Sequence, residues 1–314
     1  MRGQPIIPSR LFGLTIRKPS QAIQEPAGSV VFRVRQVPSI DFPGNLAYLS
    51  QSGAAQHIGW KRSRGVHHLS WAKGVALRVG PGPSIRIDTV KPDFLEPEVI
   101  NAALALILCE QGYVLVHGGG FALRNMAAIV MGPPGAGKSS LILAMARNGF
   151  EIISDEIFPL TADRGIVRCP GGNPVIRVSP ELLSPQERGV VTSTRSGKAL
   201  LDVRRVGLRS ARGIRQVTCL FFLESRLDEI EPAFRLDRIP PSEALVRLIE
   251  NAYARRVLTG AQQRRQLRVL GEVARANPSY SLSVRQGLEN LDAAARGIGA
   301  FVSGGTDSGV RCPR

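Results

Sequence analysis

Aromatic residues are scarce in this chain, 5 % of 314, and acidic residues are outnumbered: 25 Asp and Glu stand against 41 Lys and Arg, a net charge of +16. With so few aromatics, and no RNA- or DNA-reading motif beside the arginines, nucleic acid is not the expected partner. The excess charge reads as a solvated basic surface that attracts polyanions or acidic peptides. Cysteine is limited to Cys109, Cys169, Cys219 and Cys312, far apart and without a C-x-x-C pair. That spacing excludes a structural zinc site or a disulfide framework, and Cys109 and Cys219, inside apolar runs, read as reduced core residues. No stretch reaches the roughly 18 uncharged apolar residues of a membrane span. The opening residues also lack the apolar core of a signal peptide. A cytoplasmic protein with no membrane partner is the expectation, and 43 % hydrophobic residues argue for a globular chain of one large domain or two smaller ones.

Against these absences stands Met131 to Ser140, MGPPGAGKSS. It contains Gly132-Pro133-Pro134-Gly135-Ala136-Gly137-Lys138-Ser139, a full match to the phosphate-binding P-loop. The glycines let the backbone curl until successive N–H groups face the phosphates of a nucleotide. Lys138 reaches the terminal phosphates and the Ser139 hydroxyl is placed to ligate Mg²⁺. The flanks supply the required context. Ala127 to Met131 is a short apolar run suited to a buried parallel strand, and Ser140 to Asn148 is a good helix that Gly149 would stop. A helix beginning directly after the loop aims its N-terminal dipole at the anion. ATP and Mg²⁺ are the expected ligands.

The first hundred residues are β-rich. Val30 to Val37, Val75 to Val79 and Ile85 to Ile87 alternate apolar and polar positions, with a strong turn at Gly80-Pro81-Gly82-Pro83, and predict a small antiparallel sheet. From Pro97 the pattern becomes helical over Val99 to Glu110, ended by Gly112. A strand Val114 to His117 follows, then a glycine turn at Gly118-Gly119-Gly120, a short strand from Phe121, and an Arg124-Asn125 turn into the P-loop strand. Later come strands Glu151 to Ser154 and Val217 to Leu223. Helical spacing runs from Leu245 to Val257, and further helices cover Leu267 to Ala276 and Leu288 to Ile298. The expected organisation is a β-rich region over 1–95, an α/β P-loop catalytic domain over 96–300 and a disordered tail over 301–314.

A P-loop leaves the reaction open until a second element holds the metal and orients a nucleophile. Asp155 ends the strand after the P-loop helix, 17 residues past Lys138, and the C-terminal ends of parallel strands meet at the ligand crevice. Asp155 is thus positioned for Mg²⁺, its waters or an incoming hydroxyl, and a bend would bring Glu156 in beside it. His117, at a strand end before the glycine run, falls on the same rim. Residue reading alone leaves open a kinase for a small molecule and a nucleotide-binding regulatory module that catalyses nothing.

His117-Gly118, the P-loop with Ser140 behind it, and Ser154-Asp155-Glu156 together resemble the catalytic domain of HPr kinase/phosphorylase, whose architecture is that of phosphoenolpyruvate carboxykinase. The resemblance implies transfer of the γ-phosphate of ATP to a serine hydroxyl. In it Asp155 would be the general base, with His117 and Lys138 at the phosphates and Ser139, Asp155 and Glu156 at the metal. Glu156 stands where the family carries a second Asp, Ser140 where it usually has Glu, and no counterpart of its glycine- and arginine-rich phosphorolysis signature is present. The chain is more similar to a divergent branch of HPr kinase-related proteins, through Leu11-Phe12-Gly13-Leu14-Thr15-Ile16, Pro170 to Arg177 and Glu250-Asn251-Ala252-Tyr253. Some members of that branch phosphorylate the C-terminal serine of a lasso-peptide precursor. This implies a peptide or small-protein substrate, gives Arg177 a candidate role at phosphate, and makes a homo-oligomer an expectation of the wider family.

Overall fold

The computed structural model describes residues 10–11, 14–17, 29–36, 58–71, 75–80, 84–89, 97–193, 197–224 and 233–304. Seven strands form the first sheet: Arg10–Leu11 (β1), Leu14–Arg17 (β2), Ser29–Gln36 (β3), Ile58–Ser63 (β4), Val66–Trp71 (β5), Val75–Val79 (β6) and Ser84–Thr89 (β7). Their order is β1-β2-β3-β7-β6-β5-β4. The expected sheet is therefore present but not purely antiparallel. β4 to β7 is an antiparallel meander, whereas β2, β3 and β7 pair in parallel. Alternation reports which face of a strand is buried and says nothing of strand direction.

Helix α1 (Pro97–Glu110) begins at Pro97 and ends at Gly112, whose φ of 88° is the left-handed value a helix stop needs. Its apolar side shares one core with Leu77, Val79, Ile85 and Ile87 of the first sheet and with Leu115 and Ile157 beyond it.

The second sheet carries the P-loop. Its strands are Val114–His117 (β8), Gly119–Leu123 (β9), Met126–Met131 (β10), Glu151–Ser154 (β11), Ile157–Asp163 (β12), Ile166–Pro170 (β13), Ile214–Leu223 (β17), Phe234–Ile239 (β18) and Ser279–Val284 (β19). A third sheet joins Val175–Val178 (β14), Thr192–Ser193 (β15) and Ala199–Asp202 (β16) in the order β14-β16-β15. In the second sheet β11, β9, β10 and β17 are neighbours in that order. β10 pairs in parallel with β17 and antiparallel with β9, and β9 pairs antiparallel with β11, so β10, β11 and β17 all end at one rim.

Both faces of this sheet are covered. Ala128 and Val130 of β10 point into a core with helix α2 (Lys138–Arg147) and helix α6 (Leu288–Val302). The alternate residues Ala127, Ile129 and Met131 point into a second core with α4 (Pro241–Glu250) and α5 (Gly260–Ala276). This two-sided burial explains the continuous apolar run before the P-loop. The short helix α3 (Pro185–Arg188) carries a Ser184–Glu187 capping box.

Three expectations are corrected. Gly119 and Gly120 are not a turn but the start of β9. Gly120 is there because a Cβ would lie 2.1 Å from Cε2 of buried Phe158 and 2.9 Å from the Ala128 carbonyl oxygen. The helical spacing from Leu245 breaks at Glu250, and Val257 belongs to a separate 3₁₀ turn, Arg255–Val257, because Asn251 to Tyr253 leave the helix to bond β8. The last two helices are longer than the periodic stretches that announced them. Cys109 and Cys219 are free and buried as expected, Cys169 is free and buried as well, and burial pushes each thiol up to about 12. The Gly80 to Pro83 turn beyond Gly80 itself, part of the Leu11 to Ile16 segment and most of the tail lie outside the described residues. Among the described residues no helix is long and apolar enough to cross a membrane.

Candidate active site

The P-loop follows β10 without a break. Gly132 has φ 150° and passes so close to β17 that a Cβ would meet the Leu223 carbonyl oxygen at 2.3 Å. Only glycine makes that turn. Gly137, in a left-handed conformation, is the N-cap of α2 and has no side chain to bond the first-turn amides. The helix therefore presents its N-terminal N–H groups and dipole to the loop interior. Pro133, Pro134 and Gly135 are exposed at the lip, and Ala136 is buried beneath it.

Lys138 opens α2 and is only 8 % exposed. Its ammonium donates to the carbonyl oxygens of Gly132 at 2.7 Å and Pro133 at 3.0 Å, which holds the side chain along the inside of the loop. Burial lowers its pKa, nearby Asp155 opposes the shift, and Lys198 adds to it.

Asp155 stands at the end of β11, on the rim it shares with β10. It is buried, and the Arg177 amide donates to its Oδ2 at 2.9 Å. Burial raises the carboxyl to about 7 against the stabilising hydrogen bonds of the Arg177 amide and the Ser139 hydroxyl, and the Glu156 charge adds to the rise. Oδ1 is buried with no hydrogen-bond partner among the described residues. Ser139, half-buried in the first turn of α2, thus faces the carboxylate from the P-loop side. Ser140 follows it, also half-buried.

Glu156 is turned toward α1, where Asn101 Nδ2 donates to its Oε2 at 2.7 Å. Its main-chain carbonyl accepts from the Gly118 amide at 3.1 Å, tying the end of β11 to the end of β8. His117 closes β8, and its amide donates to the Asn251 carbonyl at 2.7 Å. Burial lowers the imidazole to about 4, helped by the charges of Lys138 and Arg177 and opposed by a hydrogen bond with the Glu156 backbone. His117 is accordingly neutral at pH 7, and its buried Nδ1 has no partner among the described residues.

Four sequence-predicted residues, Lys138, Ser139, Asp155 and His117, thus converge on one rim, joined by Arg177 from β14. Sequence reading gave no sign of Lys198, which precedes β16 and carries no motif, although its charge acts on Lys138.

The sequence matches no family model and no curated protein. Among solved structures it is similar to the Hpr(Ser) kinase/phosphatase from Coxiella burnetii, at 14 % identity and a TM-score of 0.32 over 60 % of this chain and 98 % of that one.

The donors present suit a hard divalent cation. Mg²⁺ takes oxygen ligands, commonly one or two carboxylates completed by water and phosphate oxygens. Here the Ser139 hydroxyl is such an oxygen, and the orphaned Asp155 Oδ1 is an acceptor for a metal-bound water or an incoming hydroxyl.

Proposed function

We propose that the protein is an ATP- and Mg²⁺-dependent kinase acting on a hydroxyl, with a serine of a peptide or small protein as acceptor. The observation that carries this reading is the grouping of Lys138, Ser139 and Asp155. A buried ammonium lines a phosphate-binding loop, and a carboxyl held near 7 stands beside the hydroxyl of the next residue.

Catalysis in such a site is mainly positioning and charge neutralisation. The loop amides and Lys138 hold the γ-phosphate. Asp155 accepts the proton of the acceptor hydroxyl as its oxygen bonds the γ-phosphorus. The bond from that phosphorus to the bridging oxygen breaks, and the electron pair leaves on the diphosphate. A carboxyl near 7 is an efficient base at neutral pH, because a useful fraction is ionised while proton affinity stays high. Mg²⁺, when bound, neutralises phosphate charge and draws the phosphate oxygens into line. Neutral His117 contributes a hydrogen bond rather than a charge.

A peptide acceptor is favoured over a metabolite by the basic surface. Arg255, Arg264 and Arg268 are exposed, and none forms an ion pair among the described residues. Such a surface attracts acidic chains. The narrower reading, the C-terminal serine of a lasso-peptide precursor, belongs to the same proposal. Its test is incubation with Mg-ATP and a precursor peptide with and without that serine, read by peptide mass. A phosphate gain on both peptides would remove the terminal serine as acceptor, and no gain on either would remove the peptide.

A further inference from the structure

Helices α4 and α5 flank an open groove of about 320 Å³, with Ile249, Ala252, Arg255, Leu267 and Leu270 in its lining. The Nε2 groups of its two glutamines are spent on backbone carbonyls, Gln266 on Tyr253 and Gln263 on Arg255, each at 3.2 Å. Leu267 is 55 % exposed, and Val246, three residues before Ile249 on α4, is 56 % exposed. Residues three apart are neighbours on a helix surface, so Val246 prolongs the apolar strip that Ile249 and Leu267 begin. A single exposed leucine needs no explanation, but a continuous strip beside a groove marks a contact surface. The groove also adjoins the rim of the candidate active site. Ala252 forms an antiparallel bridge with Val116 of β8. Beside it, the Asn251 carbonyl accepts from the His117 amide at 2.7 Å. The groove wall is therefore one residue along the chain from the backbone that fixes the end of β8.

The border of the groove is basic. Arg255 lines it, and Arg264 and Arg268 are exposed on α5, Arg264 three residues before Leu267 and so beside it on the helix surface. Arg265 is turned away, its guanidinium lying over Gly112. Of the acids on the two helices, Glu243 is paired with Arg247 at 2.7 Å, and Glu250 and Glu272 are not part of the lining. We propose that this groove docks an acidic, amphipathic segment of the protein substrate, with apolar side chains against Leu267 and Ile249 and carboxylates against Arg255, Arg264 and Arg268. This role rests on the peptide-kinase reading above and adds where the substrate is held, apart from the serine that receives phosphate. The volume is at the lower limit of small-molecule sites, which suits a few side chains of a segment whose remainder lies outside. Nucleic acid would answer the arginines but brings no apolar side chain for the strip. Docking beside the rim makes delivery of the serine intramolecular, at an effective concentration set by the intervening chain.

The probe is a fluorescent synthetic peptide with leucine and glutamate at helical spacing, joined through a flexible glycine linker to a terminal serine. Control peptides carry glutamine for every glutamate, or serine for every leucine. Anisotropy is read with wild type, Leu267→Asp, Arg264→Glu and Arg188→Glu, the last making the same charge change on α3. Thermal melting and Mg-ADP calorimetry show that each variant is folded with its nucleotide site intact. Wild type is expected to bind the leucine–glutamate peptide more tightly than either control. Leu267→Asp and Arg264→Glu should each weaken it by about tenfold or more, the size of a hot-spot loss, while Arg188→Glu leaves it unchanged. No binding to wild type, equal binding of the three peptides, or an equal loss in Arg188→Glu overturns the proposal. So does a wild-type dimer in sedimentation that Leu267→Asp dissociates, because a second copy then covers the groove. Peptide bound with the expected losses, but gaining no phosphate on its serine from Mg-ATP, tells against the kinase reading and leaves the docking surface standing.

Discussion

The main-chain amide of Arg177 donates to Oδ2 of Asp155 at 2.9 Å, joining the first strand of the small sheet to the end of the strand beyond the P-loop helix. The bond leaves Oδ1 as the free edge of the carboxylate, buried and without a partner among the described residues. Because a backbone group makes it, the orientation of Asp155 does not depend on the Arg177 side chain.

Asp155→Asn keeps the shape of that side chain and the Arg177 bond but cannot take a proton. Phosphate transfer is expected to fall by about 10²–10⁴, the range of a lost general base. Nucleotide affinity should stay within a few-fold. Single-turnover kinetics beside calorimetry separate the two, and wild-type turnover in the variant would remove Asp155 from its role.

A base must be ionised to act. With the Asp155 carboxyl near 7, kcat/KM should climb as pH rises through neutrality. A profile flat from pH 5 to 8 would be at odds with this assignment.

Asp155 and His117 shift stability in opposite directions. Asp155 is raised from 3.8 to about 7, so between those values the native state holds the proton more firmly, and stability falls as pH rises. His117 is lowered from 6.5 to about 4, so between those values the unfolded state binds more protons, and stability rises with pH. Relative to wild type, Asp155→Asn should therefore gain stability as pH rises from 4 to 7. His117→Gln should gain as pH falls from 6.5 to 4. Urea unfolding across that range reads both slopes, and the same slope in both variants would refute the opposition.

Gly120→Ala places a methyl group against Phe158 and the Ala128 carbonyl. Overpacking of this kind costs roughly 1–3 kcal/mol. Trimming the neighbour in Gly120→Ala/Phe158→Leu should recover part of the loss in a double-mutant cycle. Strict additivity of the two changes would show that the contact is not the cause.

The P-loop, its strand and helix, and the rim residues His117 and Asp155 were legible in the sequence because each depends on local grammar: a fixed glycine spacing, an apolar run, an acidic residue at a strand end. What was hidden depends on pairing. β12 and β13 form a hairpin through Arg164-Gly165, but Pro159 and Pro170 inside them read as breaks, and Ile157 follows the previous strand after only Asp155 and Glu156. β2, β3 and β7 pair in parallel, and the alternation within each strand carries no sign of its direction. Gly118-Gly119-Gly120 has the composition of a turn, and only the ring of Phe158 explains why a strand needs it bare.

The most direct test of the account is transfer itself. Purified protein with Mg-ATP and a set of serine-containing peptides, acidic and neutral, is read by mass for phosphate on the peptide. Phosphate is expected on a serine hydroxyl, favouring acidic peptides, with the signal lost in both Lys138→Ala and Asp155→Asn. Nucleotide bound with no phosphate on any peptide, or transfer that survives Lys138→Ala, would contradict it.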